Sequence, residues 1–304
     1  MDLSVDLGGL KLKNPVMSAS GTFGYGLEFT PYGRLEDLGA VVVKGLSLEP
    51  RKGNPMPRIA ETPCGMLNAI GLQNIGVKEF IRDRLPRLPW QKTPVVANLY
   101  AQSAREFGRL AEVISSCREI AALEVNISCP NVKEGGVQFG QNPEAAARVV
   151  REVRKRSGTR PLMVKLSPNV TDIKVIARAV EEAGADMLSL INTLGGMAVD
   201  IRTRKPLLAM THGGLSGPAI KPVALKMVHE AARAVQIPVI GIGGISTARD
   251  VLEFILVGAF AVQAGTAVFT RPDRIFALVR EVEELAARLG ITSWDQFRGS
   301  LEEY

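Results

Sequence analysis

Residues 238–266 read PVIGIGGISTARDVLEFILVGAFAVQAGT. Pro238–Ile242 is a short apolar run without polar alternation, the pattern of a strand buried on both faces. It ends in Gly241-Ile242-Gly243-Gly244, and a helical pattern then opens at Ser246-Thr247 and runs over Thr247–Val257. A second apolar run, Phe260–Ala264, follows and ends in Gly265-Thr266. Strand, glycine loop, helix and strand in that order form one parallel α/β unit.

The same rhythm extends back to the start of the chain. The apolar runs are Val16–Ser20, Ala40–Leu46, Pro94–Leu99, Leu123–Ser128, Leu162–Leu166, Met187–Asn192, Pro238–Ile242 and Phe260–Ala264. Helical patterns lie between them at Ala104–Arg118, Pro143–Arg156, Asp172–Ala183, Ile220–Val235 and Thr247–Val257, and a further helix is expected over Asp273–Leu289. Eight strand–helix units predict a closed (β/α)8 TIM barrel rather than an open sheet. Leu3–Leu12 reads as a hairpin around Gly8-Gly9, placed to cap the barrel bottom. No linker or composition shift appears, so residues 1–304 are expected to form a single domain. The loops after strands two (Ser47–Ile75), four (Pro130–Asn142) and six (Thr193–Ala219) are long, and barrel enzymes build their sites from such loops.

The 304 residues are 46% hydrophobic and 22% charged, an ordinary globular balance with enough chain for a large core. Aromatics are 5%, against 30 Gly and 18 Pro, which fits many tight loops between Val/Ile/Ala-rich elements. The net charge is +6, and the pI is about 9.3. An anionic ligand or an acidic partner would suit it, and so would diffuse solvated Lys and Arg. The densest basic run, Arg148 to Arg160, closes a helical pattern, where cations favour the helix dipole. No aromatics interleave with it, which argues against nucleic acid. Cys64, Cys117 and Cys129 are the three cysteines. They contain no CxxC pair, so neither a zinc nor an iron–sulfur site can be built from this chain alone. The odd count points to reduced thiols in a cytoplasm. The N-terminus lacks a signal-peptide core, and no apolar run approaches the roughly 20 residues a membrane helix needs.

The residues that carry chemistry cluster at strand ends. The glycines after strands seven and eight let backbone N–H groups approach a phosphate, at the usual phosphate position of a barrel. Tight turns alone would also use glycine, and Gly241-x-Gly243-x-x-Ser246 fails the GxGxxG dinucleotide pattern. Lys44 and Lys165 end otherwise apolar strands, where a lysine is costly unless it faces a charged partner; a reduced flavin would be stabilised there, although either side chain could instead point outward into solvent. Asn68, Asn98, Asn126 and Asn192 stand near strand ends or turns, with Asn131 in the loop after strand four. Each amide offers a donor and an acceptor, suited to a planar imide ring, although any one Asn could be a turn residue. Cys129 begins the loop that contains Gly135-Gly136 and could act as base or nucleophile if its pKa is lowered. Cys117, expected inside a helix, reads as a small core hydrophobe, and Cys64 in its loop fits either role. His229 lies mid-helix and His212 in the loop after strand six, so histidine catalysis is not expected.

Together these motifs resemble the class 1 dihydroorotate dehydrogenases. Asn126-Ile127-Ser128-Cys129-Pro130-Asn131 resembles the active-site loop of that family. So do Lys44-Gly45, the run from Gly65 to Asn74 (GMLNAIGLQN), Val164-Lys165-Leu166-Ser167-Pro168, Ile191-Asn192-Thr193 and both glycine loops. The resemblance spans nearly the whole chain, in order, with no departure at a motif position. Cysteine in place of the class 2 serine, and no membrane-associating N-terminal extension, point to class 1. Val132 to Gly136 and Glu49 to Pro55 look like type 1B, whose members pair this subunit with one carrying FAD and a [2Fe–2S] cluster that passes electrons to NAD.

The resemblance implies that the chain oxidises dihydroorotate to orotate with one FMN per chain, as a homodimer within a heterotetramer. It makes Cys129 the base that takes the C5 proton. Ser20, Lys44, Gly45, Asn98, Asn126, Lys165, Ile191, Gly217, Gly243, Gly244, Gly265 and Thr266 would hold FMN. Lys44, Asn68, Ala69, Ile70, Gly71, Leu72, Asn126, Asn131, Asn192 and Thr193 would hold the substrate. Four other readings stand beside this one. They are a fumarate-dependent type 1A enzyme, a flavoenzyme like dihydropyrimidine dehydrogenase acting on uracil, a phosphosugar lyase or isomerase, and a non-catalytic flavin-binding scaffold.

Overall fold

The computed structural model describes residues 2–128, 133–134 and 137–303. Eight parallel strands form one sheet: Val16–Ser18, Val41–Val42, Val95–Leu99, Ala122–Asn126, Leu162–Lys165, Met187–Leu190, Val239–Ile242 and Ala261–Ala264. Seven of the predicted runs contain one of them, and the fourth, Leu123–Ser128, overlaps its strand, which begins one residue earlier at Ala122. Each strand pairs with the next in sequence, the eighth pairs with the first through Ala264 and Ser18, and a parallel bridge between Met17 and Ala40 joins the first strand to the second. The sheet is therefore a closed barrel.

The helices on the outside form where apolar spacing and end signals agree. Ala104–Ser115 starts at Ser103, whose side chain accepts from the Glu106 amide. Pro143–Ser157 has Asn142 as its cap and Pro143 in its first turn, and Asp172 caps Ile173–Glu182. Ala248–Leu256 begins with a reciprocal box, in which the Thr247 side chain accepts from the Asp250 amide and the Asp250 carboxylate accepts from the Thr247 amide. Each such cap satisfies amides that the helix leaves unpaired. Lys221–Ala232 and Arg274–Arg288 complete the later units.

Beneath the barrel, Val5–Asp6 and Lys11–Leu12 pair as the expected hairpin. Leu7, Leu10 and Leu12 pack into the barrel floor against Met17, Val42, Val96, Met163, Met187 and Ile240. A larger core lies between strands and helices. Side chains two residues apart on a strand share a face. The residues that follow this apolar layer toward the strand ends therefore point to the barrel mouth.

Three expectations change. The eight units are not all strand–helix units: strands one and two are joined by two 3-10 turns, Leu27–Phe29 and Leu35–Asp37. Gly21, Gly24, Gly26, Pro31 and Gly33 lower helix propensity throughout that stretch. Cys117 lies just past its helix, which ends at Ser115 with Ser116 as cap, although it is buried as expected. The long connections after strands two and six are also not simply loops. They pair as a four-stranded antiparallel sheet in the order Leu194–Gly196, Gly213–Ser216, Gly65–Asn68, Ile59–Thr62. That sheet is a cover built from segments about half the chain apart.

Candidate active site

The second strand stops at Val42 because the chain then turns, the Lys44 amide donating to the Gly24 carbonyl at 2.8 Å. Lys44 is largely buried. Burial pushes its ammonium below the ordinary lysine range, the Arg58 charge adds to that, and Glu28 partly opposes it. Lys165 ends the fifth strand and is only 5% exposed. A buried ammonium is expensive without an anion to face.

Between the lysines stand the amides. Asn126 ends the fourth strand, and its Oδ1 accepts from the Ser128 amide (3.2 Å), the Ser128 hydroxyl (2.7 Å) and Asn192 Nδ2 (3.3 Å). Asn192 Nδ2 also donates to Ser128 Oγ at 2.7 Å, while its Oδ1 accepts from the Thr193 amide. Asn126, Ser128, Asn192 and Thr193 are thus one connected patch. Asn98 lies lower, buried within the third strand. Gly45 makes room for it, since a Cβ at Gly45 would come within 2.9 Å of Asn98 Oδ1. Ile191, after the sixth strand, is buried and joined to Leu190 by a cis peptide.

Asn68 ends a strand of the cover, and its side chain donates to the Gly214 carbonyl at 3.3 Å. The strip from Ala69 to Leu72 runs from there. Asn54 fixes it by donating its Nδ2 to the Ala69 carbonyl and its amide to the Ile70 carbonyl. Gly71 and Leu72 both have positive φ, at 76° and 58°. Such a conformation is uncommon for leucine and turns successive peptide groups to one side.

Ser20 follows the first strand, next to strand eight, where the Ala19 amide donates to the Ala264 carbonyl. Thr266 Oγ1 donates to Ser216 Oγ at 2.8 Å, which ties the end of strand eight to the cover beside Gly217. Gly243 and Gly244 have φ of 133° and 72°, and Cβ atoms there would stand 2.7 Å from Ala224 and Lys221 of the helix Lys221–Ala232. Close packing and backbone shape therefore both require glycine, and Gly265 and Thr266 lie on the neighbouring strand end.

The structure thus gathers Lys44, Gly45, Asn98, Asn126, Lys165, Asn192, Thr193 and both glycine loops at one mouth. Cys129 and Asn131 lie outside the described residues. Sequence reading missed Glu124, Ser189 and Gln263, all buried polar groups inside the barrel. It also missed the anchoring of the strip by Asn54. Among the described residues no cluster of His, Cys, Asp and Glu could hold a metal ion, and no helix is long and apolar enough to cross a membrane.

The sequence model of the dihydroorotate dehydrogenase family matches residues 2–287. A relative from Solidesulfovibrio magneticus is 65% identical over 301 residues, covering 99% of this chain and 98% of its own. One from Maridesulfovibrio salexigens is 62% identical over 302 residues, covering 99% of each. A third, from Geotalea daltonii, is 57% identical over 301 residues, covering 99% of this chain and 98% of its own. All three are named dihydroorotate dehydrogenase B (NAD(+)), catalytic subunit. With its barrel, its strand-end lysines and its amide patch in place, this chain belongs to the dihydroorotate dehydrogenase family.

Proposed function

We propose that this chain is the catalytic subunit of a type 1B dihydroorotate dehydrogenase. It converts (S)-dihydroorotate to orotate in pyrimidine (UMP) biosynthesis and sends the electrons to NAD+ through a partner subunit. The observation that carries this reading is the convergence of Lys44, Lys165 and the Asn126–Ser128–Asn192 patch on one barrel mouth beside two glycine loops.

The mouth fits FMN. Asn98 Oδ1 is a buried acceptor without a partner among the described residues, which suits an N–H of a planar ring. The glycine loops after strands seven and eight, with Gly217, Ser20, Ile191 and Thr266, would cradle the ribityl phosphate and the ring. FMN, when bound, supplies the acceptor for the hydride from C6. The protein does the rest: Cys129 as thiolate takes the C5 proton. Lys165 and Lys44 stabilise negative charge at the ring and on the substrate carboxylate. Asn68, the strip Ala69–Leu72, Asn126, Asn131, Asn192 and Thr193 hold the pyrimidine ring and its carboxylate.

The sequence holds neither a dinucleotide fingerprint nor a cysteine cluster, so FAD and [2Fe–2S] are assigned to the partner. Self-association into a homodimer is assigned to the cover. Met56, Met197, Val199, Ile201, Leu207 and Met210 are exposed on the segments that flank its strands, which are joined by the Ala209 amide to the Pro57 carbonyl and the Leu207 amide to the Ala198 carbonyl. Apolar patches of that kind mark interfaces.

The test is to release and identify the chromophore of the purified protein, then add dihydroorotate without oxygen. A yellow protein that releases FMN and bleaches with dihydroorotate is expected. Bleaching by dihydrouracil alone would replace the substrate assignment, and a folded, colourless protein that takes up no FMN would end the flavin reading.

A further inference from the structure

One layer below the mouth lies a buried carboxylate that the reaction above does not use. Glu124 sits in the middle of the fourth strand, with no measurable exposure. Residues from three other strands donate to it: Asn98 Nδ2 to Oε2 at 2.6 Å, Gln263 Nε2 to Oε1 at 2.7 Å and Ser189 Oγ to Oε1 at 2.8 Å. None of these partners carries a charge. An apolar side chain of similar size would fill the same volume without withdrawing a carboxylate from water, so packing alone does not account for Glu124.

The network does account for a direction. A carboxamide has a donor side and an acceptor side. The nitrogens of Asn98 and Gln263 face Glu124, so their carbonyl oxygens face away from it. Both oxygens are buried and have no partner among the described residues. Asn98 Oδ1 lies against Gly45, whose missing Cβ leaves it room at the floor of the mouth. A buried polar atom left unpaired in this way is normally satisfied by something.

We propose that Glu124 is a positioning residue. It locks the Asn98 amide with its nitrogen down and its carbonyl oxygen up, so that the floor of the site presents an acceptor to the flavin ring. Gln263 and Ser189 satisfy its other oxygen, Oε1, and do not touch the bond to Asn98. A glutamine at position 124 would reverse the pattern. It can accept through one atom only, so an amide nitrogen would face donors and Asn98 would be driven to turn over, presenting NH2 to the cavity.

This inference rests on the FMN reading, and FMN titrated into wild-type apoprotein separates the two, because a wild type that takes up no FMN rejects the cofactor and not the positioning role. Given uptake, the variants to titrate are Glu124→Gln, Ser189→Ala, Asn98→Asp and the double exchange Glu124→Gln with Asn98→Asp. The double exchange restores one donor facing one acceptor and again turns an oxygen upward. The Glu124→Gln apoprotein should bind FMN about tenfold more weakly, the size of one lost hydrogen bond, and should show an altered flavin absorption spectrum. Ser189→Ala, which leaves Asn98 locked, should bind as wild type does. The double exchange should bind FMN more tightly than either of its single variants. Wild-type affinity in folded Glu124→Gln would overturn the proposal. So would a double exchange no tighter than Asn98→Asp alone, a comparison that stands even if Glu124→Gln does not fold.

Discussion

Lys44 and Cys129 are the two side chains whose protonation the proposed chemistry turns on. Because burial lowers the Lys44 pKa, the unfolded chain binds more protons than the folded one between that lowered value and the unfolded value of about 10.4. The stability of the ligand-free protein should therefore rise with pH across that window. An anion bound beside Lys44 acts the other way and raises its pKa. Orotate binding at alkaline pH should draw in a proton, read by calorimetry in buffers of different ionisation enthalpy, and Lys44→Met should abolish the uptake. For Cys129, replacement by alanine should leave FMN bound and slow its reduction by dihydroorotate by about 10² to 10⁴-fold in stopped flow. A rate near that of the wild type would move the base elsewhere, with Cys64 next to be tried. At this scale the sequence was legible where a polar residue interrupts an apolar strand end, as at Lys44, Asn126 and Lys165. The same signal was present in Leu123-Glu124-Val125 and at Gln263. It was passed over because those residues lie inside their strands, and only the register that sets Asn98 beside Glu124 brings them together.

The helix Ala248–Leu256 shows how one element can hold a loop. Asp250 caps it while accepting from the Ser246 amide at 2.9 Å and from Lys221 at 2.6 Å. Burial alone would raise the Asp250 pKa; the Lys221 hydrogen bond and the Ser246 and Thr247 amides outweigh it, so the carboxyl titrates below its ordinary range. A depressed carboxyl stabilises the fold above its unfolded pKa and loses that contribution as pH falls through its folded value. Asp250→Ala should cost about 1–3 kcal/mol at neutral pH, measured by urea unfolding, and the gap to wild type should narrow below about pH 4. FMN affinity should fall with it, since the same carboxylate fixes the loop after Gly244. The barrel strands and six long helices were legible because their period and end signals are local. The cover sheet was not, because its pairing joins Asn68 to Gly214, and no local pattern in either glycine-containing segment announces so distant a partner.

At the scale of the whole molecule, the proposed function needs a route to NAD, and the sequence holds neither a dinucleotide fingerprint nor a cysteine cluster to provide one. The isolated chain should reduce its own flavin with dihydroorotate and produce NADH only slowly, and co-purification with its electron-transfer partner should restore the rate. Full NAD reduction by the chain alone would remove the need for a partner, and brisk turnover with fumarate would assign it to the other class 1 type. Beside the cover, Ile201 is 87% exposed in the turn between the paired segments Val199–Asp200 and Lys205–Pro206. Ile201→Glu should shift the sedimentation coefficient from dimer toward monomer while the isolated barrel remains folded. The closure of the barrel has one more consequence, which concerns time. As the chain leaves the ribosome, the first strand emerges early, yet its partner, Ala261–Ala264, comes within the last fifth of the sequence. Until then every nascent length has an open sheet with a bare edge, the form most prone to wrong pairing. The loops that would cradle phosphate arrive with the same late segment, at Gly243 to Thr266. A translation product that stops before Gly243 thus lacks both its closing strand and the loops proposed to cradle the phosphate, so flavin uptake would report that synthesis has passed Thr266.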